Sequence, residues 1–243
     1  IYHHPRTGPF VVYSDRSFAG DGRSENTISV DGVGQGKANW VRRADQPLDN
    51  PWMTTPVYDY ARGSYRFDQE RIEATHTRAV LFVKPDYFVI IDRVDGDDKV
   101  HQYRMKYQLH QDLTADVQGV RAIGRKEGEA HVVAALSRND IELSLIKGRK
   151  EPTYEGWHLC ASDGGVPAPA LIYKWEENTP ARVETVIWPV RPGHPADLDV
   201  ARSVTEGTIT LTITRGTCVD VISYGEGDDV TVRRSEKKGG KDA

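Results

Sequence analysis

The stretch from Ala74 to His110 limits what this chain can fold into more than any other. Two apolar runs rich in β-branched and aromatic residues, Ala79 to Val83 and Tyr87 to Ile91, lie on either side of a Lys-Pro-Asp turn signal. Such a pair predicts a β-hairpin that is buried on both faces. Apolar residues then alternate with polar ones from Tyr103 to Leu109, which is typical of a half-exposed strand. The pattern therefore predicts a three-stranded meander.

The rest of the chain continues the β pattern with short apolar runs separated by turn residues. The runs predict three further strand pairs: 130–137 with 141–146, 170–175 with 181–190, and 208–214 with 218–224. Repeated short strands of this kind predict an all-β, antiparallel fold of two large packed sheets with little helix. We expect one large β-sandwich domain over residues 1–234, followed by a disordered tail at 235–243, where the sequence is charged and glycine-rich.

Composition narrows the function classes. The 243 residues carry a formal net charge of −4, so nothing steers the whole chain toward nucleic acid or an anionic membrane. There is no run of eighteen apolar residues, and we expect no transmembrane helix. Because the chain starts at Ile1 without a leader pattern, we expect it to be part of a longer protein. Its two cysteines, Cys160 and Cys218, either pair or stay free as buried thiols.

Two segments resemble a known family. Thr75 to Val94 is similar to a segment of the C-terminal β-domain of the heparinase II/III-like polysaccharide lyases. Lyases of this group also carry a His-Asn-Thr-apolar-x-Val-Asp-Gly-x-x-Gln stretch, which residues 26–35 match from the Asn to the Gln. The family usually has a His where this chain has Glu25, and in metal-binding members that His is a zinc ligand. A Glu can also bind zinc through oxygen.

The resemblance implies a catalytic and metal site near the N-terminus. The family usually places a His-x-His-Pro-Asp stretch before its first strand, which gives His3 and His4 as candidate catalytic residues. Aligned on Pro5, Tyr2 stands at the first His of that stretch and Arg6 at its Asp. Any zinc would then lie between the segment that carries His3 and His4, which we call the His3-His4 arm, the loop with Asp15 and Asp21, and Glu25. The alternative is that His3 and His4 are two exposed residues of a disordered terminus.

Aromatic and arginine residues between 40 and 65 predict a sugar-binding groove. Aromatic rings stack on sugar faces, and guanidinium groups bind carboxylates or sulfates in bidentate fashion. The alternative is that these aromatics close one end of the sandwich core. The candidate substrate-binding residues are Asn26, Trp40, Arg42, Arg43, Tyr58, Tyr60 and Arg62, with Arg78 as a further cationic contact.

The function that the resemblance implies is β-elimination on a uronate-containing acidic polysaccharide. In the family, further catalytic residues come from an N-terminal α/α-toroid, so we expect this chain to be inactive without such a domain. The expected partners are the toroid and the polysaccharide, in the periplasm or outside the cell, with no role for nucleic acid or membrane. The alternative is a non-catalytic carbohydrate-binding or scaffold module.

Overall fold

A computed structural model describes residues 2–4, 8–11, 26–35, 50–67, 72–158 and 165–236. Within these residues the chain forms strands and no helix. The strands are β1 (Tyr2–His4), β2 (Gly8–Val11), β3 (Ile28–Val30), β4 (Trp52–Thr54), β5 (Tyr58–Arg66), β6 (Thr75–Val83), β7 (Tyr87–Asp95), β8 (Val100–Gln108), β9 (Thr114–Gln118), β10 (Arg121–Lys126), β11 (Glu129–Leu136), β12 (Glu142–Ile146), β13 (Trp157–His158), β14 (Val166–Pro167), β15 (Ala170–Asn178), β16 (Ala181–Pro189), β17 (Leu198–Thr205), β18 (Thr208–Arg215), β19 (Cys218–Tyr224) and β20 (Val230–Glu236).

Three antiparallel sheets make up the body of the fold. The central sheet has eight strands in the order β4-β5-β6-β7-β16-β11-β10-β9. The front sheet has the order β12-β15-β8-β3, and the C-terminal sheet has the order β17-β18-β19-β20. Two smaller ribbons, β1-β2 and β13-β14, complete the described pairs. The predicted all-β antiparallel sandwich is confirmed, and the C-terminal sheet adds a third layer to the two that were expected.

A hydrophobic core lies on each face of the central sheet. One core joins it to the front sheet and includes Ile90 and Met105, and the other joins it to the C-terminal sheet and includes Val89 and Leu211. Neighbouring residues of β7 enter opposite cores because successive side chains of a strand point to opposite faces. Burial of each large apolar side chain contributes roughly 1.5–3 kcal/mol. The doubly buried β6-β7 hairpin that the sequence predicts therefore lies at the centre of the fold.

The predicted three-stranded meander is wrong in its third strand. β7 pairs with β6 on one side and with β16 on the other. β8 instead pairs with β15 and β3 in the front sheet. The chain between Asp95 and Val100 crosses from one layer to the other, so β8 covers the face of the central sheet without extending its edge.

Two other predicted pairs fail in the same way, since β11 and β12 belong to different sheets, as do β15 and β16. Of the three further pairs, only the last is a hairpin, with Leu211 of β18 opposite Ile222 of β19. β20 runs to Glu236, two residues into the predicted tail, and the remaining tail lies outside the described residues.

In the described part of the chain, no helix is long and apolar enough to cross a membrane. Cys218 is free there, and Cys160 lies outside the described residues.

Candidate functional site

A polar cleft of about 380 Å³ opens where the family-like segment 26–35 meets the central sheet. We call it the motif pocket. Most of its lining residues carry hydrogen-bonding side chains. The full set of lining residues is Asn26, Thr27, Gln35, Asn50, Gly63, Ser64, Tyr65, His76 and Arg78.

A buried carboxylate anchors the inner wall of this pocket. His76 and Arg78 lie two residues apart on β6 and so share a face, and Asp92 of β7 is directly opposite Arg78 in the ladder. Arg78 donates from Nε to Asp92 Oδ1 at 2.7 Å and from Nη2 to Oδ2 at 3.0 Å. His76 Nε2 lies 2.6 Å from the same Oδ1. The Asp92 side chain has no exposed surface, so its charge is compensated entirely by these partners.

The electrostatics of the cluster keep Asp92 ionised. Burial by itself raises the pKa of this carboxyl, but the Arg78 guanidinium and the hydrogen bonds from His76 and Arg78 outweigh burial and lower the pKa to about 2. Asp92 is thus a fixed anion at ordinary pH and neutralises the arginine of the pocket wall.

Gln35 reaches the outer nitrogen of the His76 ring because a tight turn reverses the chain after β3. Asp31 and Gly32 have φ values of 49° and 77°, and Val30 and Val33 exchange backbone hydrogen bonds of 3.0 and 2.8 Å. Positive φ at two successive residues is the geometry that Asp-Gly favours in a two-residue turn. Asp31 and Gly32 of the matched motif therefore form this turn.

The Gln35 contact engages the second ring nitrogen of His76. Gln35 Nε2 lies 2.7 Å from His76 Nδ1. The ionised Asp92 carboxylate only accepts hydrogen bonds, so His76 Nε2 carries a proton and donates it to Oδ1. Both ring nitrogens of His76 are therefore engaged by protein groups.

A second histidine fixes the turn itself. His101 Nδ1 lies 2.7 Å from Asp31 Oδ2, and its Nε2 lies 2.7 Å from Asp97 Oδ1. Burial disfavours the charged ring, but the two carboxylates outweigh burial and raise the pKa of His101. The backbone nitrogen of Gln102 also donates to Asp31 Oδ1 at 2.9 Å. The front sheet therefore holds the turn from which Gln35 extends.

Asn26 connects the layers at the mouth of the pocket. Its backbone carbonyl accepts a hydrogen bond from Arg78 Nη1, and its Oδ1 accepts one from the backbone nitrogen of Gln108 at 2.8 Å. Arg78 belongs to the central sheet and Gln108 to the front sheet. Asn26 is thereby held in one orientation between them.

This arrangement is suited to binding, and both nitrogens of His76 are held by protein groups. The amide groups of Asn26, Gln35 and Asn50 supply hydrogen-bond donors and acceptors, and Tyr65 supplies a ring at the rim. These are groups that recognise sugar hydroxyls and carboxylates. Across the described residues, no group of three or more potential metal ligands occurs.

Most of the predicted site residues have side chains outside the described part of the structure. His3 and His4 lie in β1, which pairs with β2, but their side chains are not described. The predicted metal ligands and three of the substrate-binding residues lie outside the described residues, namely Asp15, Asp21, Glu25, Trp40, Arg42 and Arg43. These assignments remain predictions. Asn26 lines the motif pocket.

The other three predicted substrate-binding residues lie on the opposite face of the central sheet. Tyr60 is 3% exposed and donates its hydroxyl proton to Asp228 Oδ1 at 2.8 Å. Arg62 Nε is 2.7 Å from the same oxygen, and Tyr58 donates to the carbonyl oxygen of Val230 at 3.0 Å. These contacts dock the C-terminal sheet. The predicted single groove that combined them with Arg78 is therefore corrected, because Arg78 pairs with Gly63 and faces the other core.

Sequence reasoning did not assign a role to Gln35, His76 or Asp92. Gln35 was visible as the last residue of the matched motif. His76 and Arg78 both lie in the family-like segment Thr75 to Val94, but nothing local indicated which carboxylate would stand opposite them. The pairing register of β6 with β7 supplies that information.

The class of protein follows from the fold together with comparison to known proteins. The chain is a layered antiparallel β-sandwich domain with a polar pocket at one of its layer junctions. A family model described as heparinase II/III-like, C-terminal, matches residues 7–186. The chain belongs to this family, and the resemblance found in the sequence is confirmed.

Solved structures share the fold. Heparan sulfate lyase HepC from Pedobacter heparinus matches with a TM-score of 0.57 and 18% identity, over 96% of this chain and 34% of that one. A heparinase III crystal structure matches with a TM-score of 0.56 and 14% identity, over 88% of this chain and 30% of that one. The chain therefore spans about a third of the length of these proteins. No curated protein matches it.

Proposed function

We propose that this chain is the C-terminal β-sandwich module of a lyase that cleaves a uronate-containing acidic polysaccharide by β-elimination. The observation that carries the proposal is that the family-like motif builds the motif pocket. Asn26 and Gln35, at the two ends of the motif, both line the cleft. A binding surface on the module would form one wall of a longer substrate cleft.

The chemistry of β-elimination sets what such a wall has to do. A base removes the C5 proton of the uronate, the neighbouring carboxylate is neutralised so that the enolate is stabilised, and an acid protonates the leaving oxygen. We assign the motif pocket to holding the polymer in register through its amides, since its histidine is engaged on both nitrogens. Any base that the module supplies would come from His3 or His4.

The remaining catalytic groups would come from an N-terminal α/α-toroid in the parent protein. A larger parent protein is supported by the comparison, because this chain matches only 34% and 30% of the length of the two similar structures. We therefore propose that the module is inactive by itself and works in the periplasm or outside the cell.

The polymer would also contact the arginines near Trp40. The net charge of −4 offers no general attraction to a polyanion, so a local cluster has to provide it. Changing Arg42 and Arg43 together to Ala should abolish retention on an immobilised uronate polymer with little loss of thermal stability. Unchanged retention would show that the polymer binds elsewhere, and a collapsed fold would show that these arginines are structural.

A zinc site at Asp15, Asp21, Glu25 and the His3-His4 arm is a further part of the proposal. Mixed carboxylate and imidazole ligands suit zinc, with weaker affinity than three histidines. Chelator-treated protein should take up zinc at micromolar concentration, and Glu25→Ala should weaken the uptake. No uptake, or equal uptake by the variant, would contradict this part.

The direct test is to join the chain to the toroid region of its parent reading frame and to measure unsaturated uronate by its ultraviolet absorbance. The joined protein should release unsaturated product from a uronate polymer, and the isolated module should release none. Product from the isolated module would contradict the inactivity, and no product from the folded joined protein on any uronate polymer would contradict the lyase assignment.

A second candidate function is that of a non-catalytic carbohydrate-binding module. The engagement of both His76 nitrogens favours it, because the one imidazole of the motif pocket is then already held by Gln35 and Asp92. Under this alternative the isolated chain binds the polymer, and the joined protein makes no product.

A further inference from the structure

A second pocket, of about 420 Å³, lies at the other end of the fold. It is formed by the β6-β7 turn, the loop between β16 and β17, and the β18-β19 turn, and we call it the turn-end pocket. β6 passes the motif pocket at His76 and ends at Val83, seven residues later, just before this turn. Seven steps of about 3.3 Å separate the two ends by roughly 23 Å. The two pockets are therefore separate sites.

The floor of the turn-end pocket is rigid. The Arg215 guanidinium lies 4.5 Å from the centre of the Tyr87 ring and 5.7 Å from that of the Trp188 ring. Its Nη2 donates to Asp86 Oδ2 and to Asp220 Oδ2, both at 3.2 Å. The Arg215 side chain is 7% exposed. Stacking and ion pairing therefore hold the partly exposed Trp188 ring in place, and a fixed aromatic ring binds a ligand at little cost in conformational entropy.

The rim carries charged and polar groups that have no ion pair. Arg191, His194 and Asp197 are exposed, and among the described residues none of them forms a salt bridge. The loop that carries them is nevertheless held by backbone hydrogen bonds, one to β11 and one within the loop. The backbone nitrogen of Val190 donates to the carbonyl of His131 at 3.0 Å, and His194 donates from its backbone nitrogen to the carbonyl of Arg191 at 3.0 Å. The rim thus presents a guanidinium, an imidazole and a carboxylate at fixed backbone positions.

From this geometry we propose that the turn-end pocket is a second, non-catalytic binding site for an acidic sugar residue. The Trp188 ring would stack on the pyranose face, Arg191 and His194 would bind its carboxylate or sulfate, and Asp197 would accept from its hydroxyls. The volume lies in the range of small-ligand sites, about 300–1,000 Å³. The choice of an acidic sugar rests on the proposed function. Such a site would hold the polysaccharide away from the cleft and raise its local concentration.

The test is an NMR titration of the isolated chain with a size-defined heparan sulfate hexasaccharide, and with an uncharged maltohexaose as control. The chain has five tryptophans, and the Trp188→Phe variant identifies the Trp188 indole N–H signal. This signal should shift with the acidic sugar, with a dissociation constant of about millimolar order, and not with the neutral one. Replacing both Arg191 and His194 by Ala should weaken the binding at least about fivefold. Arg233→Ala, an exposed arginine of the C-terminal sheet, is the matched control and should bind as the unchanged protein does.

Three results would overturn the proposal. They are an unmoved Trp188 signal at roughly 10 mM acidic sugar, an equal response to the neutral sugar, and an unchanged dissociation constant in the double variant. The lyase assay of the joined protein separates the two proposals. Activity without a Trp188 response refutes only the turn-end site, whereas a Trp188 response without activity refutes only the lyase assignment.

Discussion

Replacing Asp92 by Asn should destabilise the fold more than any surface change on the same strand. Asp92 receives two hydrogen bonds from Arg78 and one from His76, and its side chain has no exposed surface. Asn keeps the size of the side chain but places an N–H₂ group where a carboxylate oxygen was. One arginine N–H then faces a donor, and the Arg78 guanidinium loses its counter-charge.

The magnitude follows from the burial of the pair. Removing one partner of a buried ion pair costs about 3–5 kcal/mol. The Arg78 side chain is 20% exposed and is partly solvated, so we expect the lower end, about 3 kcal/mol. The lowered pKa of Asp92, which the same contacts cause, corresponds to a figure of similar size. The pKa of Asp92 falls from the ordinary 3.8 to about 2, and at 1.36 kcal/mol per unit this is roughly 2 kcal/mol.

The pH dependence has a defined sign. The folded state holds Asp92 ionised at a lower pH than the unfolded chain does, so this stabilisation is complete above about pH 4 and is lost as the pH falls toward 2. Since Asn cannot titrate, the difference in unfolding free energy between wild type and Asp92→Asn should shrink over that interval.

Urea denaturation followed by tryptophan fluorescence from about pH 3 to pH 7 measures this difference. Asp95→Asn is the matched control on β7, because Asp95 is 41% exposed and pairs with Arg93 at the surface. It should cost less than about 1 kcal/mol. Equal losses for the two variants at neutral pH, or a difference that stays constant down to pH 3, would refute the assignment of Asp92 as a buried counter-charge.

Three further predictions address other parts of the structure. Because the pKa of His101 is raised, the stabilisation that this residue contributes is complete below pH 6.5, its ordinary pKa, and is lost as the pH rises through the raised pKa. The His101→Gln variant should therefore show a flatter decline of melting temperature on the alkaline side, and an unchanged profile would contradict this. At Gly156, where φ is 74°, a Cβ would lie 2.6 Å from the carbonyl oxygen of Ile146, so Gly156→Ala should lower the unfolding free energy by about 1–3 kcal/mol in urea denaturation. The control Gly207→Ala adds a Cβ in open space and should cost less, and equal costs would exclude the clash. Tyr60→Phe should lower stability by about 1 kcal/mol and leave polymer retention unchanged, whereas lost retention would return Tyr60 to the binding surface.

The pattern of apolar and turn residues predicted the hairpin whose two strands are adjacent in sequence. The apolar runs at Ala79 to Val83 and Tyr87 to Ile91 became the β6-β7 hairpin. The failed pairs all concern consecutive strands that change sheets, such as β7 and β8. Ile91 of β7 instead lies opposite Glu184 of β16, and a contact so distant in sequence leaves no local signal.

The candidate site also depends on contacts between residues that are distant in sequence. Asn26 was predicted from its motif and lies in the motif pocket. Tyr58, Tyr60 and Arg62 share a strand face as their alternation requires, but the register with β6 decides which layer that face meets. Neighbours in sequence were therefore divided between the two sides of one sheet.

The most direct measurement for the whole account is kcat/KM of the toroid-joined protein carrying Asn26→Asp. Asp retains the acceptor oxygen that binds the backbone nitrogen of Gln108 at 2.8 Å, and it replaces the amide N–H₂ with negative charge that repels a polyanion. Asn178→Asp makes the same change at an exposed position at the end of β15. If the motif pocket is a wall of the cleft, Asn26→Asp should lower kcat/KM at least about tenfold, a loss of about 1.4 kcal/mol, while Asn178→Asp leaves it unchanged. Equal kcat/KM for the two variants and the unchanged protein would contradict the role assigned to this pocket.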